Sequence, residues 1–165
     1  LINTAGLLQT QAEATGEEST QQVADRLQVQ SATGIVEDKS GTNIINKTNL
    51  TVTKSPGADD VQLDNVSYQI VTNDAVVTGV LTDEGVTIGS ISAQTEDNVI
   101  TDRSDRYEIQ FTLTNTSAGS TDDILSGDIE GGDSLTITLT TAPGASTVTE
   151  LRVPDSLVDR NAVSL

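Results

Sequence analysis

The 165-residue chain has no cysteine, methionine, histidine or tryptophan, and its only aromatic residues are two tyrosines and one phenylalanine. Without cysteine it can form no disulfide and offers no reactive thiol. The absence of histidine and cysteine excludes nucleophilic catalysis with a histidine base, and it leaves only carboxylates as ligands for zinc. A folded core must therefore be built mainly from Val, Ile, Leu and Ala.

Basic residues are also scarce. Eight Lys and Arg face 25 Asp and Glu, which gives a formal net charge of −17. Self-repulsion at this level destabilises a compact chain in dilute buffer, whereas molar salt shortens the Debye length to about 3 Å and screens it. The excess of Asp over Glu favours a protein fitted to high salt over one that is merely acidic and soluble. Binding to nucleic acid or to an anionic membrane surface is disfavoured, because both need a basic patch.

Long apolar runs are missing, so no segment is expected to span a membrane, and no signal peptide is visible. Close carboxylate pairs of the glycosidase type arise on any surface this acidic, so they carry no signal for catalysis. We expect no enzyme activity and no dedicated cofactor.

Helical periodicity is confined to the first stretch of the chain. Its apolar residues recur at spacings of three and four, which places them on one helix face. This pattern predicts one long helix over residues 1–26, with a kink at Gly16. The apolar pattern is already present at Leu1 and Ile2 with no capping residue before them, so we expect part of the helix to precede residue 1. The face is either a subunit interface or packed on the chain's own domain, and its residues are Leu1, Ile2, Ala5, Leu8 and Ala12.

Residues 27–165 read as short strands separated by turn signals. The clearest is 107–113, where Tyr107, Ile109, Phe111 and Leu113 alternate with polar residues, as expected for a strand with one wet face. About eight such strands predict an antiparallel, Ig-like β-sandwich. The predicted fold class is therefore mainly β with one long N-terminal helix, divided into a helix over 1–26 and a sandwich domain over 27–165.

A polar connection over residues 115–133 is unusually long and acidic. Loops of this length without structure of their own tend to be functional or disordered. Five carboxylates are weak candidates for a calcium or magnesium site, although they lack the spacing of a full calcium loop. A solvated acidic loop with loosely associated cations is the simpler expectation. The candidates are Asp122, Asp123, Asp128, Glu130 and Asp133.

Four Asn-x-Ser/Thr sequons begin at Asn46, Asn49, Asn65 and Asn115. About two are expected by chance for this composition, so the motif alone is a weak signal for N-linked glycans. All four lie near predicted strand ends or turns, where a glycan can reach solvent. Crowding would limit joint use of Asn46 and Asn49, and Asn115 must lie beyond the strand end. We expect Asn65 to be the first acceptor.

The segments LINTAGLLQTQAEATGEES, VADRLQV and VPDSLVDRNAVSL resemble the archaeal flagellins (archaellins), most closely those of halophilic archaea. The first and last of these segments cover about a fifth of the chain. It implies an N-terminal helix that carries a β-sandwich, N-linked glycans, and a very apolar helical segment directly before residue 1 that packs in the filament core and is absent from this chain.

The resemblance also implies a function. We expect a structural subunit of the extracellular swimming filament, in a polymer of itself or with a related archaellin and with no membrane contact once assembled. Two alternatives stay open: a pilin-like adhesion filament subunit, and a secreted β-sandwich module that binds sugar or calcium. Three aromatic residues are few for a sugar-binding platform.

Overall fold

The computed structural model describes residues 25–116 and 121–165. This part of the chain contains eleven strands, and its only helix is the short 3-10 helix Leu63–Asn65. The strands are β1 Leu27–Lys39, β2 Thr42–Lys54, β3 Val61–Gln62, β4 Ser67–Val71, β5 Val76–Val80, β6 Val86–Ser92, β7 Val99–Ile100, β8 Arg106–Thr112, β9 Ser134–Thr140, β10 Ser146–Arg152 and β11 Ala162–Ser164.

The predicted fold class requires correction. No helix of seven or more residues is present in the described residues, so a mainly β fold with one long helix is wrong for this part of the chain. Most of the predicted helix, residues 1–24, lies outside the described residues. Its predicted last turn is not helical, because Asp25 accepts a hydrogen bond from Asp59 N and the Arg26 carbonyl accepts one from Ser55 N. These contacts tie the chain to the β domain.

The strands form two large antiparallel sheets and one small one. The five-stranded sheet has the order β11-β1-β2-β8-β6, and the four-stranded sheet has the order β10-β9-β4-β5. Strands β3 and β7 pair with each other. Every pairing is antiparallel, as the turn spacing predicts.

One core lies between the two large sheets. The predicted strand over 107–113 is confirmed as β8, which has neighbours on both sides, and Tyr107, Ile109 and Phe111 are fully buried. On the facing sheet, Tyr68 of β4 meets Phe111 edge to face, with ring centroids 5.2 Å apart and planes 67° apart. Aromatic pairs favour this geometry. Two of the three aromatic side chains thus join the sheets, while Leu, Ile and Val fill the rest.

The hairpin of β1 and β2 is longer than the polar residues around position 40 suggest. Both strands run for thirteen residues, and only Ser40 and Gly41 turn the chain, both with positive φ. Asp38 stabilises the turn by accepting from Gly41 N at 3.0 Å. A bulge between Val29 and Ser31 shifts the register. Leu27 faces the core before the bulge, whereas the even-numbered Ala32 and Gly34 face it afterwards, so the alternation along β1 reverses.

The long connection after β8 is anchored to the domain. Leu125 and Ile129 are buried. Ile45 N donates to Ile129 O at 2.8 Å, and Leu125 N donates to Leu113 O at 2.8 Å. Within the ranges described, no helix is long and apolar enough to cross a membrane.

Candidate functional sites on the domain surface

The predicted subunit contacts Leu1, Ile2, Ala5, Leu8 and Ala12 lie outside the described residues. Their role stays a prediction. The candidate sites that can be located in the structure are the sequon asparagines, the described part of the acidic connection and the outer faces of the sheets.

Asn46 is the most buried of the four sequon asparagines. Its side chain is buried, and Nδ2 donates to the Glu37 carboxylate. Its backbone carbonyl accepts from Leu113 N and Thr114 N. The hydroxyl residue of the same sequon, Thr48, is fully buried. An enzyme that attaches a glycan would have to open the sheet to reach this nitrogen.

Asn49 lies within β2, in the middle of the five-stranded sheet, between Thr33 of β1 and Gln110 of β8. It is half-buried, and its Oδ1 accepts from Gln110 Nε2 at 3.0 Å. A glycan attached here would displace that hydrogen bond and would project from the central strand of the sheet.

Asn65 is the exposed member of the four sequon asparagines. It ends the 3-10 helix, its side chain is exposed, and Nδ2 donates only to the exposed Gln62 Oε1 at 2.7 Å. Asn115 lies three residues after the end of β8, beyond the strand end as predicted, and it is half-buried. The hydroxyl residue of its sequon, Ser117, lies outside the described residues.

The five acidic candidates for a cation site do not converge. Asp122 and Asp123 are exposed, and Asp133 accepts a hydrogen bond from Glu130 N at 2.9 Å within a local turn. No group of three or more acidic side chains is placed to share a metal ion in the part of the chain that the structure describes.

Asp128 instead joins the connection to the tip of the long hairpin. Its Oδ1 accepts from Lys39 Nζ at 2.6 Å and from Thr114 Oγ1 at 3.0 Å. The Lys39 ammonium, helped by the Thr114 hydroxyl, holds the pKa of Asp128 below its usual value against the opposing effect of burial. This carboxylate therefore serves a structural contact.

The fold also changes the ionisation of two buried tyrosines. Burial raises the pKa of both Tyr107 and Tyr68, and the Asp83 carboxylate raises that of Tyr68 further. The Tyr107 hydroxyl donates to Thr95 O at 2.9 Å.

The outer face of the four-stranded sheet carries almost no charge. Along β4, β5 and β9 every outward residue is uncharged, and on β10 only Glu150 and Arg152 are charged. Their charged atoms lie 4.0 Å apart. We call this surface the neutral face, and its residues are Ser67, Gln69, Val71, Val76, Thr78, Val80, Ser134, Thr136, Thr138, Thr140, Ser146, Val148, Glu150 and Arg152.

Sequence reasoning missed the neutral face. The alternation of Ser, Thr and Val with apolar residues in β4, β5 and β9 was a usable signal for each strand separately. Only the sheet order β10-β9-β4-β5 brings these strands side by side.

A family model described as archaeal-type flagellin matches residues 1–151. The chain belongs to this family. Flagellin B1 of Natrialba magadii is 43% identical over 162 residues, which cover 96% of this chain and 80% of that protein. Flagellin B2 of Halobacterium salinarum is 37% identical over 170 residues, which cover all of this chain and 82% of that protein.

Solved structures agree at the level of the fold. The archaeal flagellum of Methanospirillum hungatei matches with a TM-score of 0.64 and 17% identity, over 98% of this chain and 85% of that one. A crystallised flagellin from Methanocaldococcus jannaschii matches with a TM-score of 0.63 and 12% identity, over 84% of this chain and 95% of that one.

The family assignment decides the broad function. Archaeal-type flagellins are structural subunits of the archaellum filament and are not enzymes. This flagellin is accordingly a filament subunit that assembles at the cell surface. The predicted resemblance to halophilic archaellins is confirmed. The assignment favours the filament over a pilin-like adhesion subunit or a secreted binding module.

Proposed function

We propose that this flagellin polymerises with copies of itself, or with a closely related flagellin, into the extracellular swimming filament. The observation that carries the proposal is the match to the flagellin family over residues 1–151. Several flagellins of one organism, Halobacterium salinarum, are 33–37% identical to this chain. Because one organism has several such flagellins, a co-polymer of related flagellins stays open as an alternative to a homopolymer.

The apolar residues Leu1, Ile2, Ala5, Leu8 and Ala12 are our candidates for contacts between subunits. Repeated head-to-tail contacts that do not close into a ring generate a helical filament. The function is mechanical and needs no catalytic residue. The acidic surface favours loose association of cations from concentrated salt over a dedicated Ca²⁺ or Mg²⁺ site.

We propose Asn65 as the principal site of N-linked glycosylation. Its side chain is exposed and outside the strands, so a glycan there displaces only one exposed hydrogen bond. Asn115 and Asn49 are less open, and we expect Asn46 to remain unmodified because its side chain is buried.

Peptide mass spectrometry of filaments purified in molar salt tests both the polymerisation of this chain and the glycosylation of Asn65. The proposal expects peptides from β8 and β9 as major filament constituents, and their abundance relative to other flagellins separates a homopolymer from a co-polymer. It also expects added glycan mass at Asn65 and none at Asn46. Peptides found only in a soluble monomeric fraction would refute the filament proposal, and a modified Asn46 would refute the ranking of acceptors.

A further inference from the structure

We propose that the neutral face is a contact surface between the β domains of neighbouring copies of this chain in the filament. The inference rests on the proposed function, which supplies the neighbouring copies. It adds the surface through which the domains meet.

The distribution of charge is the first argument. Of the 25 acidic residues, 22 lie in the described ranges, since only Glu13, Glu17 and Glu18 fall outside them. Eighteen of these 22 lie outside strands, in turns, in connections and in the 3-10 helix. Carboxylates brought into direct contact between copies repel and lose their hydration, even where molar salt screens the net charge of −17 at longer range. The neutral face holds one carboxylate, Glu150, with Arg152 beside it.

Exposed apolar side chains are the second argument. Five large hydrophobic residues are exposed in the described ranges, and three of them lie on the neutral face: Val76 (62% exposed), Val80 (39%) and Val148 (65%). They lie on the two edge strands, β5 and β10, and Thr138 and Gln69 continue the row of Val148 across the two strands between. Valine at both margins, with mainly hydroxyl and amide groups on the two strands between them, suits contact with a second protein surface. Short side chains of this kind also lose little rotamer freedom on packing.

The size of the face indicates when the contact forms. Four strands about 4.8 Å apart and five to seven residues long give a surface of about 400 Å². A stable pair of proteins buries about 800 Å² on each partner. The face alone is therefore too small to hold two free copies together, and the contact forms where other contacts of the filament already hold the copies side by side.

A matched pair of substitutions tests the proposal. Thr78→Asp places a charge on the neutral face, and Thr87→Asp places the same charge on the outward side of the other sheet. Both threonines are exposed and lie on edge strands. We expect at least a fivefold lower filament yield for Thr78→Asp and an unchanged yield for Thr87→Asp, with the same melting temperature for both dissociated chains. Equal filament yields from the two folded variants would overturn the proposal.

A chemical measurement covers the case in which Thr78→Asp fails to fold. Because the chain has no cysteine, Val148→Cys introduces one thiol on the neutral face. Val158→Cys, equally exposed at 65% but in the segment after β10, verifies that the reagent is active on dissociated chains. We expect a charged maleimide to label Val148→Cys at least tenfold more slowly in intact filaments than in dissociated chains. Equal rates would overturn the proposal.

Two other findings would also contradict it. Sugars on the neutral-face threonines in purified filaments would mean that glycans cover the surface. A different protein cross-linked to Val148→Cys would mean that the occupant is not a copy of this chain. Failure of the parent chain to appear in filaments refutes the proposed function instead, so the two failures are distinguishable.

Discussion

Replacing Phe111 by alanine should lower the unfolding free energy of the domain more than any single substitution on its surface. The ring is fully buried between the two large sheets and packs edge to face on Tyr68, with centroids 5.2 Å apart. Removing a buried phenylalanine ring costs about 3–5 kcal/mol through lost burial and the cavity that remains. The loss of the aromatic pair accounts for about 0.5–1.5 kcal/mol of it.

This loss is large against the whole stability of a domain, about 5–15 kcal/mol. At about 2–4 °C per kcal/mol, the melting temperature should fall by about 6–20 °C. The matched control is Thr112→Ala, on the same strand but with its side chain on the opposite face. It should change the unfolding free energy by less than about 1 kcal/mol.

Urea unfolding of the full chain in molar salt measures both variants under conditions that screen the acidic charge. The reasoning predicts a shift of the urea midpoint for Phe111→Ala with little change in slope, since the extent of surface exposed on unfolding is similar. A loss below about 1 kcal/mol, or equal losses for both variants, would refute the claim that this strand forms the core between the sheets.

Three further predictions use the same unfolding assay. Asp128→Asn should cost about 0.5 kcal/mol at pH 7, because the contact with Lys39 is partly exposed. The lowered pKa makes this contribution full above about pH 5 and lost as the pH falls below about 4, so wild type and variant should converge in acid. Burial raises the pKa of Tyr68, so the unfolded chain releases this proton first and stability falls above about pH 10. Tyr68→Phe should reduce that fall, and an unchanged pH profile would contradict the assignment. Gly131→Ala should cost about 1–3 kcal/mol, because a Cβ there would lie 2.6 Å from a backbone carbonyl oxygen, whereas Gly127→Ala, with open space around it, should cost much less.

The sequence predicted those parts of the fold in which the alternation of side chains is uninterrupted. Strand β8 is an example, because Tyr107, Ile109 and Phe111 alternate with polar residues over its whole length. The long hairpin was not predicted at its full length. Its polar residues resemble a turn, yet they lie in paired strands whose ladder of hydrogen bonds does not depend on side-chain polarity.

Bulges and remote pairing account for other differences. Alternation in β1 reverses after the bulge that follows Val29, and the sequence around it carries no distinct signal for an extra residue. Strand β11 has only three residues and exists because it pairs with the edge of β1. Both features depend on the partner strand, which local patterns do not specify.

The candidate sites divide in the same way. Asn65 was predicted to lie near a strand end and was ranked first among the sequons, and the structure shows its side chain exposed. Burial of Asn46 was not predicted, because it results from the start of β2 at Thr42 and from the packing of Glu37 against the amide. The neutral face depends on strand order and so required the structure.

Electron cryo-microscopy of cell-surface filaments, isolated in molar salt from the native host, tests the central claim most directly. We expect a helical polymer in which the density of each repeating subunit contains two packed sheets with the Tyr68–Phe111 pair between them. Filaments whose repeating subunit lacks this pair of sheets, or cells whose filaments do not contain this chain, would contradict it.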